Sequence, residues 1–321
     1  MFNLHQRESR IKVNSFNKVK VSVVMSNFNN GEFIYDSINS ILNQEFDSFE
    51  LIIVDDGSTD NSLEIIKSFE GGKVRAIYLE KNCGLGVGIN IAIGHARGDY
   101  IAIMDADDIS FPLRLKKESD FLDSRPDIDI VGTQCIRIKD VNSEIIDQPT
   151  YPTQDFVIKA TMLSINGSCM IHPTTMIRRA FINQANIAYP IRKLSEDTAF
   201  WIKCVAKKAK FACLDEPLLY KRRHATNVHQ IQKFNMDKEK TPLRVELLSL
   251  YYPDLTNHET FLLARSMEIQ SNISIHEYEQ ILSIIKKTLS EKRSFYGESK
   301  EILNLILANQ IKKISTSFGR V

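Results

Sequence analysis

The sequence lacks the features that mark several common classes of protein. Its five cysteines are widely spaced and contain neither a C-x-x-C pair nor a zinc-ligand spacing, which argues against a disulfide scaffold or a zinc module. No window approaches the ~18 consecutive apolar residues of a membrane span. The 41 Lys and Arg residues are balanced by 40 Asp and Glu residues, so there is no basic excess for bulk binding of nucleic acid. Any functional charge must therefore be local.

The pattern of the chain changes along its length. Residues 19–138 alternate short β-branched runs with amphipathic stretches, which is typical of an α/β sheet with crossover helices. Residues 139–229 are less regular and mix strand and helix patterns. Residues 230–321 carry long amphipathic segments rich in Leu and Ile, which predict a helical C-terminal appendage. A chain of 321 residues is long enough for a large domain with such an appendage.

Apolar periodicity also predicts individual elements. A helix is predicted to begin at Ser110, and residues 169–177 have strand character. Residues 128–138 predict a longer strand at an edge of the sheet or in a hairpin, and the run around Pro217 predicts two short strands broken at that proline. The strands predicted for the first part of the chain are 21–25, 51–54, 74–79 and 100–104.

Acidic residues gather after two of the predicted strands. They are Asp55 and Asp56 after the second strand, and Asp105, Asp107 and Asp108 after the fourth. In open α/β sheets, ligands bind beyond the carboxyl ends of the strands. Turn formation or helix capping can explain a single aspartate, but a cluster of unpaired like charges is costly unless a cation relieves it. The oxygens of the D-x-D motif at Asp105 and Asp107 therefore predict a site for Mg²⁺ or Mn²⁺.

The motifs around these acids resemble a known family. VSVVMSNFNN, LIIVDDGSTDNS and NCGLGVGINIAIGHARGDYIAIMDADDIS follow one another within residues 19–138. In order and spacing they resemble the nucleotide-sugar half of the inverting family 2 glycosyltransferases of the bacterial cell-envelope polysaccharide type. The resemblance implies the GT-A fold, which is a Rossmann-like nucleotide-binding sheet with a smaller acceptor-side sheet. The predicted organisation is a basic N-terminal extension at 1–18, a glycosyltransferase domain at 19–229 (nucleotide-sugar half 19–138, acceptor half 139–229) and a helical region at 230–321.

The resemblance assigns residues to the nucleotide sugar. Phe28 falls where the family stacks an aromatic ring on uracil, and Asp55 or Asp56 falls where an aspartate accepts a hydrogen bond from the base. An aromatic face and a carboxylate suit a ring with an imide edge. A plain turn and helix cap is the alternative for the glycines after the third strand. The other residues expected on the donor side are Asn29, Asn82, Gly84, Leu85, Asn90, Asp105 and Ala106.

The second half carries the residues expected at the acceptor. The segment LSEDTAFW resembles the family's E-D-x-x-x-W motif, in which Asp197 corresponds to the catalytic base. Glu196 and Trp201 belong to the same motif and are expected on the acceptor side, although helix capping is an alternative role for the two acids. His172 lies in a segment that resembles the acceptor-lining strand of the family, and a purely structural role for it stays equally open.

The segment YKRRH resembles the R-x-H motif that follows the last sheet strand in the family. The resemblance implies that Arg222 and His224 reach the diphosphate or its metal, so the expected metal set is Asp105, Asp107 and His224. Arginine suits this task because its planar donor fork matches phosphate oxygens. A solvated basic strand end is the alternative.

The predicted activity is metal-dependent, inverting transfer of a sugar from a UDP-sugar to a hydroxyl of a saccharide or lipid-linked acceptor, in polysaccharide or lipopolysaccharide biosynthesis. A sugar-1-phosphate nucleotidyltransferase would need a glycine-rich basic loop after the first strand, where this chain has NFNNG. An oxidoreductase would need G-x-G-x-x-G, whereas Gly84, Gly86 and Gly88 form G-x-G-x-G. A non-catalytic scaffold is disfavoured by the presence of both the D-x-D and the E-D motifs.

Local charge leads to a prediction about location. The first 20 residues are basic but lack the apolar stretch of a secretory signal, so we expect a cytoplasmic protein. We also expect peripheral contact with an anionic membrane surface, on the cytoplasmic face of the inner membrane, through the basic N-terminus and an amphipathic C-terminal helix. A solvated helix face is the alternative for the basic residues between 203 and 223: Lys203, Lys207, Lys208, Lys210, Lys221, Arg222 and Arg223.

Overall fold

The computed structural model describes residues 18–139, 144–164, 169–192, 194–224, 233–268 and 273–317. The predicted basic extension therefore lies outside the described residues except for Lys18, and so does the predicted boundary between residues 229 and 230. The described strands form one nine-stranded sheet in the order β3-β2-β1-β4-β8-β6-β9-β5, with β7 paired to β6. Helices pack against this sheet, and further helices follow it in the chain.

The first half of the sheet is parallel and carries the crossover helices that the sequence predicts. Its strands pair in the order β3-β2-β1-β4, and Ile34, Ile38 and Ile41 of the first helix are fully buried against it. These elements are β1 (Val21–Asn27), α1 (Ile34–Leu42), β2 (Phe49–Asp55), α2 (Ser62–Phe69), β3 (Val74–Tyr78), α3 (Leu85–Gly94) and β4 (Tyr100–Asp105). Because the strands are parallel, their carboxyl ends share one edge of the sheet.

The second half is mixed and continues the same sheet. β8 pairs antiparallel to both β4 and β6, β9 runs parallel to β6, and β5 pairs antiparallel to the end of β9. Its elements are β5 (Ile109–Ser110), α4 (Arg114–Ser124), β6 (Ile130–Lys139), β7 (Ile145–Asp147), α5 (Asp155–Thr161), β8 (Met176–Arg178), α6 (Arg179–Ala185), α7 (Glu196–Ala206) and β9 (Phe211–Arg223). The mixed half of the sheet is thus joined to the parallel half through β8.

Several local predictions were wrong. Ser110 lies in β5, and α4 begins at Arg114. The strand predicted at 169–177 is reduced to β8, because a short 3₁₀ helix at His172–Thr174 precedes it. β6 lies between β8 and β9 and is not an edge strand, although it does form a hairpin pair with β7. Pro217 does not divide β9. The pairing of β9 with β6 shifts register there, so the strand accommodates a residue that has no N–H to donate.

The C-terminal region is helical, as predicted. Leu247, Ile285 and Leu307 are fully buried and belong to the same apolar cluster as the sheet. Tyr251 donates its hydroxyl to the carbonyl oxygen of Lys159 in α5 at 2.7 Å, which ties the helices to the acceptor half. None of the described helices is long and apolar enough to cross a membrane. The described elements of this region are α8 (Lys233–Tyr251), α9 (Asn257–Ser266), α10 (Ile275–Ser290) and α11 (Lys300–Ser317).

A buried ion pair fixes α4 against the carboxyl half of β4. Arg114 and Glu118 are both fully buried, with the Nε of Arg114 3.3 Å from Oε2 of Glu118. The guanidinium also donates to the carbonyl oxygens of Ile103, at 2.8 Å, and Thr175, at 3.4 Å. Burial raises the pKa of Glu118 to about 7, against the opposing charge of Arg114. The pair thus joins α4, β4 and the residue before β8.

We predict that Glu118→Leu lowers the free energy of unfolding by about 3 kcal/mol, because it leaves the Arg114 charge buried without its carboxylate. Urea unfolding at about pH 8, where Glu118 is ionised, measures this loss. Asp120→Leu on the same helix is the matched control. The Lys116–Asp120 pair is exposed, so its loss should cost under about 1 kcal/mol. Equal losses in the two variants would contradict the prediction.

Candidate active site

The acids at the end of β4 converge in space. Carboxylate oxygens of Asp105, Asp107 and Asp108 lie within 4.8 Å of one another. The turn that carries them is held by the hydroxyl of Ser37 in α1, which donates to the carbonyl oxygens of Ala106, at 2.8 Å, and Asp108, at 2.7 Å. Ala106 itself is buried, which directs the two D-x-D carboxylates to the same side of the turn. Clustered hard oxygen donors of this kind fit a divalent cation.

A lysine that the sequence analysis treated only as local basic charge lies inside this cluster. The ammonium of Lys221 is 3.2 Å from Oδ2 of Asp105 and 3.3 Å from Oδ2 of Asp108. Burial lowers the pKa of Lys221, but the charges of Asp108, Asp105 and Asp107 outweigh it and raise the pKa well above its ordinary value. Its place follows from the pairing of Ile109 in β5 with Tyr220 in β9. That register is a tertiary feature, so no local sequence signal identifies Lys221.

The R-x-H residues reach the cluster in different ways. His224 contacts Asp107 through Nε2 at 2.9 Å, and its ring lies 4.3 Å from the ring of Phe33. Burial opposes the ionisation of Asp107, but the hydrogen bond with His224 and the charge of Lys221 hold its pKa below the ordinary value. His224 therefore lies where a ligand of the same cation would lie.

Arg222 contributes its main chain and its side chain to separate contacts. Its backbone N–H donates to Oδ1 of Asp108 at 2.8 Å. Its guanidinium pairs with Asp36 of α1 at 3.2 Å and lies over the ring of Phe33 at 5.1 Å. The side chain is thus packed against α1, and its contact with a diphosphate stays a prediction.

The two aspartates after β2 are both hydrogen-bonded within the protein. Asp55 accepts from the amide of Asn27 at 2.8 Å and from the hydroxyl of Ser58 at 2.6 Å. Asp56 accepts from the backbone N–H groups of Cys83, at 2.7 Å, and Gly84, at 2.8 Å. Asp56 therefore holds the loop before α3, whereas Asp55 organises the turn that follows β2.

The exposed aromatic residue of the donor side lies beside that turn. Phe28 is 43% exposed at the end of β1, which leaves a ring face open to a ligand. Asn29, with φ of 54°, accepts from the backbone N–H of Thr59 at 2.8 Å and donates its own N–H to the hydroxyl of Ser58 at 3.0 Å. The segments after β1 and β2 are thus joined around Ser58, with the ring of Phe28 at their surface.

The glycine-containing loop before α3 has a backbone that requires glycine. Gly84 has φ of 98°, and Asp56 accepts its N–H, while Leu85 opens α3 and is 36% exposed. Asn82 is exposed on the same loop. Asn90 uses both ends of its amide on the main chain of Tyr189, at 2.8 and 2.9 Å. Asn90 therefore joins α3 to the acceptor half, and its contact with the ribose stays a prediction.

The acceptor-side residues surround an aromatic cluster. Nε2 of His172 lies 2.8 Å from the hydroxyl of Tyr189, whose ring stacks on Phe200 at 3.9 Å. Trp201 is only 2% exposed and meets the edge of His172 at 5.8 Å. Trp201 therefore supports His172 from the core instead of lining a surface. Burial lowers the pKa of His172, which favours the neutral ring.

Glu196 and Asp197 open α7, as predicted. Ser195 before them adopts a left-handed backbone with φ of 58°. Oδ1 of Asp197 accepts from the backbone N–H of Thr198 at 2.6 Å. Burial raises the pKa of Glu196 to about 7, and the charges of Asp197 and Asp105 add to this effect. The start of α7 and the D-x-D motif thus lie close enough to interact electrostatically, although they are far apart in the sequence.

The fold and the site define an α/β protein whose acidic and basic side chains converge beyond the carboxyl ends of its parallel strands. The chain belongs to glycosyl transferase family 2, whose model matches residues 22–185. It is therefore a glycosyltransferase of the family that its motifs resemble.

Its relatives and structural neighbours agree with this family. An uncharacterized glycosyltransferase of Methanocaldococcus jannaschii, MJ1057, is 34% identical over 64% of this chain and 72% of its own. The O-antigen biosynthesis glycosyltransferase WbnJ of Escherichia coli is 31% identical over 64% of this chain and 80% of its own. The crystal structure of Staphylococcus aureus TarS 1-349 in complex with UDP-GlcNAc has a TM-score of 0.60 and 20% identity, covering 94% of this chain and 92% of that one. These similarities confirm the predicted fold class.

We predict a pH-dependent stability that Glu196→Gln removes. The pKa of Glu196 in the folded protein is about 7 and its ordinary value is 4.5, so the folded state binds this proton more tightly than the unfolded chain does. The free energy of unfolding of the wild type, relative to that of Glu196→Gln, should therefore fall as the pH rises from 4.5 to about 7 and stay level at higher pH. Urea unfolding without metal or nucleotide measures the difference. Glu279→Gln, at an exposed position of α10, is the matched control.

Proposed function

We propose that the protein transfers a sugar from a UDP-sugar, with inversion, to a hydroxyl of a saccharide or lipid-linked saccharide. The observation that carries the proposal is the convergence of the D-x-D carboxylates and the basic end of β9 beyond one edge of the sheet, in a chain of this family. The UDP-GlcNAc complex of TarS and the O-antigen role of WbnJ support a UDP-sugar donor and a place in polysaccharide or lipopolysaccharide biosynthesis.

The donor side would recognise the nucleotide through groups that are already positioned. The exposed ring of Phe28 is suited to stack on the uracil. Asp55 or Asp56, which both lie beside it, would accept from the base, and both oxygens of each are already hydrogen-bonded within the protein. The N-terminus of α3 at Leu85 presents backbone N–H groups suited to phosphate oxygens.

A divalent cation, Mn²⁺ or Mg²⁺, would be held by Asp105, Asp107 and His224. The clustered oxygens of the two aspartates, and the imidazole already in contact with Asp107, are the ligand types that such ions accept. When bound, the cation supplies Lewis-acid stabilisation of the charge that grows on the departing diphosphate. Arg222 stands on the same strand end and would contribute a further positive charge.

Asp197 is the residue we assign as general base. Its Oδ1 accepts from Thr198, so Oδ2 is the atom we assign to the acceptor proton. The acceptor oxygen would bond to the anomeric carbon while the bond from that carbon to the diphosphate breaks on the opposite face. The acceptor proton would pass to Asp197 and UDP would leave as the diphosphate. Glu196 and His172 would line the acceptor beside this group, with Trp201 supporting His172 from the core.

Membrane contact is a separate part of the proposal. Lys207 and Lys208, which follow α7, are exposed and could face anionic lipid. Lys210 pairs with Asp155, while Lys221 and Arg222 point toward the acid cluster and α1. The basic residues between 203 and 223 therefore do not form one surface. Within the described residues, peripheral attachment would depend on the exposed lysines after α7.

We expect Asp197→Asn to lower the rate of transfer by about 10² to 10⁴-fold and to leave UDP affinity within about twofold of the wild type, because only the proton acceptor is lost. Transfer is measured with a panel of UDP-sugars and saccharide acceptors, and UDP affinity by calorimetry. Asp120→Asn on the exposed face of α4 is the matched control. Loss of UDP binding in parallel with transfer would contradict the assignment of Asp197 as general base.

We expect Asp105→Ala and Asp107→Ala each to remove the metal-dependent part of UDP affinity, because each deletes a predicted ligand of the cation. Calorimetric titration with UDP, in EDTA and then in Mn²⁺, separates the metal-independent part of UDP affinity from the metal-dependent part. Asp127→Ala, which breaks an exposed pair with Arg125, is the control and should retain both. Wild-type, metal-dependent affinity in both site variants would defeat the proposed metal site.

A further inference from the structure

The acid cluster already contains a positive charge supplied by the chain. The ammonium of Lys221 lies 3.2 Å from Asp105 and 3.3 Å from Asp108. Asp108 is fully buried, so its carboxylate depends on the groups beside it, which are this ammonium and the backbone N–H of Arg222 at 2.8 Å. Lys221 therefore offsets part of the repulsion among three neighbouring carboxylates.

The ammonium lies against a carboxylate that a divalent cation would use. Asp105 belongs to both the lysine pair and the carboxylate cluster. Two cations drawn to one oxygen repel each other, and the repulsion is strong in a partly buried site. A free divalent ion that approaches the cluster therefore meets carboxylates whose charge is already partly offset and two of whose oxygens already pair with an ammonium.

The side chain of Lys221 is able to move while its strand stays in place. β9 is held by its pairing with β5 and by the bond from Arg222 to Asp108. The Lys221 side chain is 26% exposed and that of Asp105 is 23% exposed, so neither side chain is sealed in the core. Its stem is flexible and its charge is a compact point charge. Arg222, in contrast, is packed on Phe33 and paired with Asp36.

We propose that Lys221 is a resident counter-ion that competes with the divalent cation in the free enzyme and leaves Asp105 for the diphosphate when the nucleotide binds. This inference rests on the proposed function, since it assumes a cation at Asp105 and Asp107. Its consequence is that cation and nucleotide bind cooperatively. The diphosphate draws the ammonium away, and the oxygens become available to the cation.

The variant Lys221→Met removes the positive charge of Lys221 and keeps an unbranched side chain of similar length. Lys221→Met should bind Mn²⁺ about tenfold more tightly than the wild type in the absence of UDP, because the competitor is gone. UDP should raise the Mn²⁺ affinity of the wild type about tenfold and that of the variant by less than about twofold. Free Mn²⁺, counted by electron paramagnetic resonance, gives both affinities without any assay of activity. Lys117→Met, which breaks an exposed pair with Glu216, is the matched control and should behave as the wild type.

The outcomes separate this inference from the proposed function. If Lys221→Met binds Mn²⁺ like the wild type, with and without UDP, the role of Lys221 is overturned and the metal site stands. If no variant and no wild-type sample binds Mn²⁺ even with UDP, the metal site fails and Lys221 loses its role with it. Lys221→Gln, which keeps a hydrogen-bond donor without the charge, should repeat the Met result and guards against misfolding of the first variant.

Discussion

The site depends on one strand pairing. β5 follows the D-x-D turn directly and pairs antiparallel with the carboxyl end of β9, more than a hundred residues later in the chain. This contact brings the turn at Asp105–Asp108 against the end of β9 and so against Lys221 and His224. The pair also curls the mixed half of the sheet back toward the parallel half. Without it, the acids of β4 would face solvent with only one another as neighbours.

Side chains at the end of β9 pair with the acids of the site. The near equality of 41 basic and 40 acidic residues says little about any one place in the molecule. At the site, Lys221 is paired with Asp105 and Asp108, while His224 contacts Asp107 and lowers its pKa. Part of the negative charge of the cluster is thus offset by a lysine at the end of β9. The proposed cation and diphosphate would need charges that can be exchanged, and the side chain of Lys221 is better suited to such an exchange than the packed Arg222.

Much of the fold was accessible from the sequence for definite reasons. The parallel strands are nearly continuous apolar runs, and Ile34, Ile38 and Ile41 repeat at helical spacing, so both signals are local. The positions of Asp55, Asp105 and Asp197 at element ends were predicted from motifs, and the structure has them there. The mixed half was harder. β8 is three residues long, and its place between β4 and β6 depends on partners that are distant in sequence.

Short-range periodicity and motifs encode the parallel half, the helical C-terminal region, the acids at the strand ends and the glycosyltransferase family, so each of these can be predicted from the residues alone. Contacts between distant strands, in contrast, select which basic residue meets those acids. Lys221 and Arg222 are adjacent in the chain, yet one ammonium enters the acid cluster and the other cation packs on Phe33. Successive side chains of a strand point to opposite faces, so the register of β9 against β5 selects between them, and register is set by contacts that no local pattern contains.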